Sequence, residues 1–555
     1  MKYSFLLLLL SALTVARAQS LLEQKKTYTR ADTLRGTLLP ERACYDVTYY
    51  ELDITLDTAG RSLSGSVKFY FNVLRDFKTL QFDLFENMQI SAVEHNGKSL
   101  PYRREYNAVF VDMPMVFEEG TTGEFTVRYY GKPTIAKRPP WDGGFVWTYD
   151  RNGKLWVAVA CEGIGASLWW PNKDYLGDEP DSMRIRCNVP NGLRCIANGT
   201  DEGSVELPNG TTTYRWKVSY PINNYNVTLN IGDYVQIHDI YVSTDGDTLD
   251  LDYYVLSYNR EKALKHFEQV KPMLACYEKY LGKYPFWNDG YALVETPYLG
   301  MEHQGAIAYG NRYLTGYAGF DHSRIGLNFD YIIIHETGHE WWGNSVSCYD
   351  IADMWIHESF CTYTEAIYVE CLHGYDTALR YINAVKPTVG NQKPIVGVYG
   401  VNEEGDGDMY AKGMLFLNTL RHIFNDDEKW WSTIKFMADK AFRLSNIGYD
   451  DVVNYFCRAG NANFRPIFEQ YLKHPNIPTL EYKLKKNGKN NYQITYRWQA
   501  DVSDFRMPAI ISTGKNTTTR LEADTQWQSA NIPLKKESEL RIRTDLTYIH
   551  VKKIK

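Results

Sequence analysis

The stretch IIIHETGHEWWG, residues 332–343, decides the fold of the central part of this chain. Its apolar run leads into two histidines four residues apart, His335 and His339, and Glu336 directly follows the first of them. On a helix, residues four apart lie on the same face one turn apart, so the two imidazoles can converge on one point. The pattern therefore predicts a metal-binding helix, against the alternative of a buried helix that carries two unrelated histidines.

A third metal ligand is available nineteen residues after His339, where Glu358 lies in the helical pattern WIHESFCTYTEA. Two histidines and one glutamate suit zinc and leave a coordination position open, which is typical of catalytic sites. A closed structural site needs four protein ligands, and no fourth candidate is evident in the sequence nearby. We expect one zinc ion per chain, which lowers the pKa of bound water, and Glu336 as the base that takes the water's proton.

Glu365 lies seven residues after Glu358, two turns further along the same predicted helix face. It has two interpretations at this point. It can orient a liganding histidine from behind, or it can be a surface glutamate of the helix.

The N-terminus, MKYSFLLLLLSALTVARAQS, predicts a secretory signal peptide over residues 1–18, with cleavage after Ala18. Its apolar core is too short for the alternative of a membrane anchor, and no other stretch approaches the ~20 apolar residues of a membrane span. We therefore expect an exported protein, periplasmic or secreted, without stable membrane insertion after cleavage.

The net charge of −6 and the lack of a long basic run argue against a nucleic-acid partner. Nine cysteines leave at least one thiol unpaired, and their pairing stays open.

The 555 residues are too many for one core, and the hydrophobic pattern changes twice along the chain. Alternation of period two, as in YELDITLD from Tyr50, predicts an N-terminal antiparallel β-domain over residues 40–245. Helical spacing dominates residues 246–475, and alternation returns in a small β-domain over residues 476–555. The predicted fold class is a multidomain α+β protein.

The segment HETGHEWWGN, followed by WIHESF, resembles the aminopeptidase N family of zinc metallopeptidases, which includes the leukotriene epoxide hydrolase branch. The resemblance implies a thermolysin-like, mainly helical catalytic domain and a C-terminal β-sandwich. His357 and Ser359 depart from the residues that commonly flank the glutamate ligand in the family, and Trp342 differs from the usual aromatic residue only in kind.

PYLGMEHQGAIAYG resembles the Gly-x-Met-Glu-Asn motif of that family, whose glutamate holds the free α-amine of the substrate. The resemblance gives this role to Glu302 and implies that the backbone of Gly300 and Met301 aligns the peptide as an edge strand. Leu299 and His303 depart from the motif.

Two further segments carry the resemblance. MYAKGMLFLNTL resembles the Tyr-x-Lys-Gly sequence of the family, whose tyrosine stabilises the oxyanion, and this implies that role for Tyr410. AVACEGIGASLWWPNKD resembles the segment with a second amine-binding residue, which implies that role for Glu162 and an active site between the first two domains.

The resemblance covers residues 40–475 by motif and implies an exported zinc-dependent aminopeptidase acting on peptides with a free N-terminus. The large helical C-terminal domain of longer members is not expected, because too few residues follow 475. Three alternatives stay open: a thermolysin-like endopeptidase, an epoxide hydrolase as in the leukotriene branch, and an inactive exported binding protein that kept the fold.

Overall fold

The computed structural model of the chain describes residues 27–514 and 517–555. The predicted signal peptide, residues 1–18, lies outside the described residues. Among the helices of the described part, none has both the length and the hydropathy that crossing a membrane requires.

The N-terminal region is a set of three sheets, preceded by two short helices, α1 (Arg30–Gly36) and α2 (Pro40–Ala43). Its strands are β1 Tyr45–Asp57, β2 Ser62–Val73, β3 Phe77–Asp83, β4 Met88–His95, β5 Lys98–Ser99, β6 Tyr102–Glu105, β7 Ala108–Phe117, β8 Thr122–Gly131, β9 Gly144–Tyr149, β10 Leu155–Ala160, β11 Ser182–Pro190, β12 Arg194–Ile196, β13 Thr200–Leu207, β14 Thr211–Val218 and β15 Asn230–Gly232. The largest sheet has eight strands in the order β13-β14-β11-β1-β2-β8-β4-β5.

The period of two is confirmed in β1, where Tyr50, Leu52, Ile54 and Leu56 are buried and the residues between them are more exposed. This sheet is antiparallel except for β1 and β11, which run parallel. Between β8 and β11 the chain leaves this sheet to form β9 and β10 of a second sheet, and a connection of that length allows a strand to return in the same direction.

The central region begins with a five-stranded sheet in the order β16-β17-β18-β20-β19. Its strands are β16 Tyr234–Val242, β17 Thr248–Leu256, β18 Tyr291–Glu295, β19 Gly300–Met301 and β20 Ile307–Tyr309. The predicted boundary between residues 245 and 246 falls in the turn between β16 and β17, which pair with each other. Among the described strands, the short β19 pairs with β20 alone and therefore lies at the edge of this sheet.

Helices build the rest of the central region, together with a small parallel pair, β21 (Val346–Cys348) and β22 (Ser445–Ile447). The helices are α3 Arg260–His266, α4 Val270–Leu281, α5 Tyr331–Gly338, α6 Trp355–His373, α7 Tyr375–Ala384, α8 Ala411–Phe424, α9 Asp427–Phe436, α10 Tyr449–Gly460 and α11 Arg465–Leu472. Helix α6 is buried on all sides from Trp355 to Val369 and packs against α4, α5, α7 and α8. A disulfide between Cys276 and Cys371 joins α4 to α6.

The C-terminal region has two sheets, ordered β27-β24-β23-β29 and β26-β25-β28. Its strands are β23 Thr479–Lys486, β24 Asn491–Gln499, β25 Ala509–Gly514, β26 Thr517–Leu521, β27 Gln528–Pro533, β28 Arg541–Ile542 and β29 His550–Lys553. Trp498, Phe505 and Met507 are fully buried in its core. The predicted multidomain α+β fold, with β-regions on either side of a helical region, is confirmed.

Candidate active site and metal centre

Helix α5 carries the two histidines. Its N-terminal cap is Asp330, whose carboxylate accepts a hydrogen bond from the backbone N–H of Ile332 at 3.0 Å. The Nε2 atoms of His335 and His339 lie 3.3 Å apart. Helix α6 brings Oε2 of Glu358 to 3.6 Å from Nε2 of His335 and to 3.5 Å from Nε2 of His339. The three predicted metal ligands therefore converge on one point.

These three residues fit a zinc ion. Ligands bound at 2.0–2.1 Å in a tetrahedral shell lie about 3.4 Å from one another, close to the spacing found here. Oε2 of Glu358 is buried and has no hydrogen-bond partner among the described residues. A buried carboxylate oxygen without a partner is costly, and a metal ion supplies the missing interaction.

The outer nitrogens of both histidines are engaged. Nδ1 of His335 lies 2.8 Å from Oε1 of Glu365, whose other oxygen accepts from the Tyr381 hydroxyl at 2.6 Å. Nδ1 of His339 lies 2.8 Å from the carbonyl oxygen of Trp342. With Nδ1 as donor, each neutral imidazole presents the lone pair of Nε2 toward the ligand cluster. Glu365 is therefore a buried partner of His335, and the surface interpretation of this residue is wrong.

Glu336 is buried beside the ligands, and this burial raises the pKa of its carboxyl to about 7. Its position is limited by strand β19, because a Cβ atom added to Gly300 would lie 2.6 Å from Oε1 of Glu336. The carboxylate thus packs directly against the edge strand. A base with a pKa near neutrality can both accept and return a proton.

The predicted amine-binding glutamate, Glu302, follows β19 and is buried. The Tyr225 hydroxyl donates to its Oε1 at 3.0 Å, and the Asn344 side-chain amide donates to its backbone oxygen at 2.8 Å. The pKa of Glu302 is raised by burial, while the nearby His339 acts in the opposite direction. Neither contact was predicted: Tyr225 has no local sequence signal, and Asn344, the last residue of HETGHEWWGN, was given no role.

Glu162 lies in the loop after β10 of the N-terminal region and lines a cavity of about 660 Å³. Burial and then the charge of Glu302 raise its pKa well above the ordinary value. Mutual influence of this kind requires the two carboxyl groups to be near neighbours. Glu162, from the N-terminal region, therefore feels the charge of Glu302, from the central region.

Tyr410 is the N-terminal cap residue of α8, and its side chain is partly accessible, with 38% of the residue exposed. Its ring centre lies 6.1 Å from that of His335, with 27° between the ring planes. The phenol ring therefore lies beside His335, at the start of α8. Burial of the hydroxyl raises its pKa well above the ordinary value, so it stays protonated and can donate.

The two histidines that depart from the family pattern are both fully buried, and burial lowers the pKa of each to about 3. Nε2 of His357 accepts a hydrogen bond from the backbone N–H of Cys348 at 2.9 Å. His303 makes no side-chain hydrogen bond within residues 27–514 and 517–555. Both rings are neutral packing groups and add no positive charge to the site.

The sulfur atom of Cys361 lies near the two histidines. One ligand atom each of His335, His339 and Cys361 all lie within 4.8 Å of one another. Cys361 is therefore a buried neighbour of both histidines that the sequence analysis did not consider. Cys361 follows Glu358 by three residues on α6, and this spacing was the one available signal.

Comparison with known proteins agrees with this geometry. Residues 265–471 match the model of the Peptidase family M1 domain. The chain is 22% identical over 444 residues to the probable aminopeptidase 1 of Saccharolobus solfataricus, which covers 77% of this chain and 53% of that protein. It is 21% identical over 351 residues to the aminopeptidase N of Haemophilus influenzae, which covers 61% of this chain and 38% of that protein.

A solved structure of an M1 zinc metallopeptidase from Deinococcus radiodurans has the same fold, with a TM-score of 0.66 at 19% identity. The match covers 80% of this chain and 98% of that one. The chain spans about half the length of the Saccharolobus relative. These findings confirm the resemblance to the aminopeptidase N family.

Proposed function

We propose that this chain, whose central region carries a Peptidase family M1 domain, is an exported zinc-dependent aminopeptidase that removes N-terminal residues from peptides. One observation carries the proposal. The buried Glu302 directly follows strand β19, whose Gly300 packs against Glu336, and the charge of Glu302 is among the causes that raise the pKa of Glu162. Paired carboxylates at this position fit a substrate ammonium group, and a thermolysin-like endopeptidase has no use for them.

The zinc site would be formed by His335, His339 and Glu358, with one ion per chain. When bound, zinc supplies a Lewis acid that activates water and polarises the scissile carbonyl. Glu336 accepts the proton of the attacking water and delivers it to the leaving amine. Tyr410 donates a hydrogen bond to the oxyanion of the tetrahedral intermediate.

Glu302 and Glu162 hold the α-ammonium group and thereby place the first peptide bond next to Glu336. Within residues 27–514 and 517–555, Gly300 and Met301 pair with β20 on one side, and the other edge of β19 has no strand partner. An extended peptide can add to such an edge through its backbone. The Deinococcus structure holds a bound Tyr-ser-ala substrate, which supports short peptides as the substrate class for this chain.

Export is supported by two independent features. The first is the signal pattern of residues 1–18, and the second is the disulfide between Cys276 and Cys371. Disulfides persist in oxidising compartments and are rare in the cytosol.

The deciding experiment compares a fluorogenic aminoacyl substrate that has a free amine with its N-acetylated form. We expect hydrolysis of the free amine only, and equal cleavage of both would contradict the proposal.

Two variants test the residue roles. Glu336→Gln should lower turnover by about 10²–10⁴-fold while zinc content is retained. Glu302→Gln should mainly raise KM and reduce the discrimination between the two substrates.

A further inference from the structure

A second cavity, of about 620 Å³, lies at the carboxyl ends of the parallel strands β17, β18 and β20. Leu256, Glu295 and Tyr309, at the ends of these strands, line it together with residues of β9 and β10 from the N-terminal region. The carboxyl ends of parallel strands commonly hold ligands, and a volume of this size is typical of a ligand pocket. The proposed metal ligands, base and amine-binding residues are not part of its lining.

The path of a bound peptide leads to this cavity. The proposed amine-binding Glu302 follows β19, and Glu336 packs against Gly300 at the start of that strand. A peptide held by its N-terminus at Glu302, with its first peptide bond beside Glu336, therefore runs antiparallel to β19. Its later residues pass Leu299 and Tyr298, which both line the cavity. A peptide paired residue by residue with the strand reaches this point after about three or four residues.

Arg312 lies at this end of the path. The backbone N–H of Gly310 donates to the carbonyl oxygen of Leu299 at 2.8 Å, so the pairing continues one residue beyond β19 and β20. Arg312 follows two residues later, lines the cavity and is exposed. No carboxylate within residues 27–514 and 517–555 forms an ion pair with it. Its guanidinium is therefore available to a ligand.

The charges in the lining favour an anion at this place. Among the described residues of the lining, Arg312 is the one basic side chain and Glu295 the one acidic side chain. The carboxylate of Glu295 already accepts hydrogen bonds from the backbone N–H of Leu256, the amide of Asn259 and the hydroxyl of Tyr313. These three donors offset the charge of Glu295, whereas the charge of Arg312 has no such partner.

The loop that carries Arg312 is held in a strained backbone conformation. Arg312 and Tyr313 have φ angles of 56° and 62°, in the left-handed region that favours glycine. The side-chain amide of Asn311 donates to the carbonyl oxygens of Leu314 at 3.0 Å and Gly316 at 2.9 Å, which fixes the turn. Strain of this kind at residues other than glycine is concentrated at ligand-binding and active sites.

We propose that this cavity binds the C-terminal end of a short peptide and that Arg312 pairs with its free carboxylate. The inference rests on the proposed aminopeptidase function. A planar guanidinium matches a carboxylate through two parallel hydrogen bonds. The rings of Tyr149, Trp156 and Tyr258 in the lining offer apolar surface to the last side chain of the peptide. The preferred substrates are then short peptides with both ends free, and longer peptides lose the interaction with Arg312.

The test uses the full chain loaded with zinc and two peptides, Ala-Ala-Phe and Ala-Ala-Ala-Phe, each with a free C-terminal carboxylate and as the C-terminal amide. Each kcat/KM is divided by that of the same protein on a fluorogenic aminoacyl substrate, which has no carboxylate. We expect the wild-type protein to favour the free carboxylate by about tenfold at one of the two lengths, the size of one charge-assisted hydrogen bond.

Three variants assign this preference to one side chain. Arg312→Gln removes the charge and should bring the ratio of acid to amide close to one. Arg312→Lys keeps the charge without the planar fork and should give an intermediate ratio. The matched control is Arg324→Gln, in the same loop, exposed and also at a left-handed φ of 63°, but outside the cavity lining. It should keep the wild-type ratio. Because acid and amide are compared within each protein, a lower folded fraction in a variant does not change the ratio.

Each result decides for or against the role of Arg312. Equal hydrolysis of acid and amide by the wild-type protein at both lengths would overturn the inference and leave the aminopeptidase function standing. A preference that persists in Arg312→Gln, or that disappears equally in Arg324→Gln, would overturn it as well. If the wild-type protein hydrolyses neither the peptides nor the aminoacyl substrate, the proposed function fails and this inference fails with it.

Discussion

Tyr410 is the residue to which the oxyanion-stabilising role is given. It is partly exposed, and its ring lies near that of His335. Tyr410→Phe removes only the hydroxyl that would donate to the oxyanion. Removal of one such donor typically costs about 10²–10³-fold in kcat, so we expect that loss with KM and zinc content nearly unchanged. Steady-state kinetics beside metal analysis measures both, and an unaltered kcat would contradict the role.

Gly300 fixes the position of the proposed base. An added Cβ would lie 2.6 Å from Oε1 of Glu336 and 2.7 Å from Cγ2 of Ile332. Gly300→Ala should therefore displace the carboxylate, and a shift of about 1 Å can cost about 10²-fold in rate. The matched control is Gly407→Ala, where an added Cβ meets nothing within 4 Å. We expect a loss of kcat only in Gly300→Ala, with zinc retained in both. Equal kinetics for the two variants would show that the close contact does not position the base.

At the residue scale, the sequence predicts what depends on local spacing and misses what depends on packing. His335 and His339 could be predicted because a helix repeats every few residues, whatever surrounds it. The place of Cys361 depends on how α5 crosses α6, which no local pattern specifies. The Tyr225 hydroxyl reaches Glu302 across 77 residues of sequence, and a single tyrosine carries no signal for such a contact.

At the scale of elements, the pair α5 and α6 positions the metal ligands. Glu365 of α6 holds Nδ1 of His335, and the Tyr381 hydroxyl of α7 holds Glu365. Glu365→Gln removes the charge that orients the imidazole and should weaken zinc binding by about 10–100-fold. Tyr381→Phe leaves the carboxylate in place and should have a smaller effect in the same direction. Chelator competition measures this graded order, and an unchanged affinity in Glu365→Gln would contradict it.

The elements themselves were predictable where one face is buried. The alternation in β1 and in the C-terminal strands is the signature of half-buried strands, and it located both β-regions. The central sheet was missed for a physical reason. Strand β18 runs parallel to both neighbours and is buried at every position, so it has no period of two.

At the scale of the whole molecule, Glu179 links the N-terminal region to the helical region. It precedes β11, and its Oε1 accepts from the Asn446 side-chain amide of β22 at 3.1 Å. Burial raises the pKa of Glu179 from an ordinary value of 4.5 to about 7. Between these two values the folded chain keeps a proton that the unfolded chain has lost. The contribution of this carboxyl to stability is therefore full below the lower value and is lost as the pH rises through the upper one.

Glu179→Gln keeps a hydrogen-bond acceptor and removes the charge that would otherwise form in the buried contact. We expect the variant to match the wild-type unfolding midpoint at about pH 5 and to exceed it at about pH 8. Thermal unfolding of both proteins at the two pH values measures the difference. The exposed Glu206→Gln serves as the control and should follow the wild type throughout. A midpoint difference that stays constant with pH would mean that Glu179 is ionised in the folded chain, and that the contact between the two regions tolerates its charge.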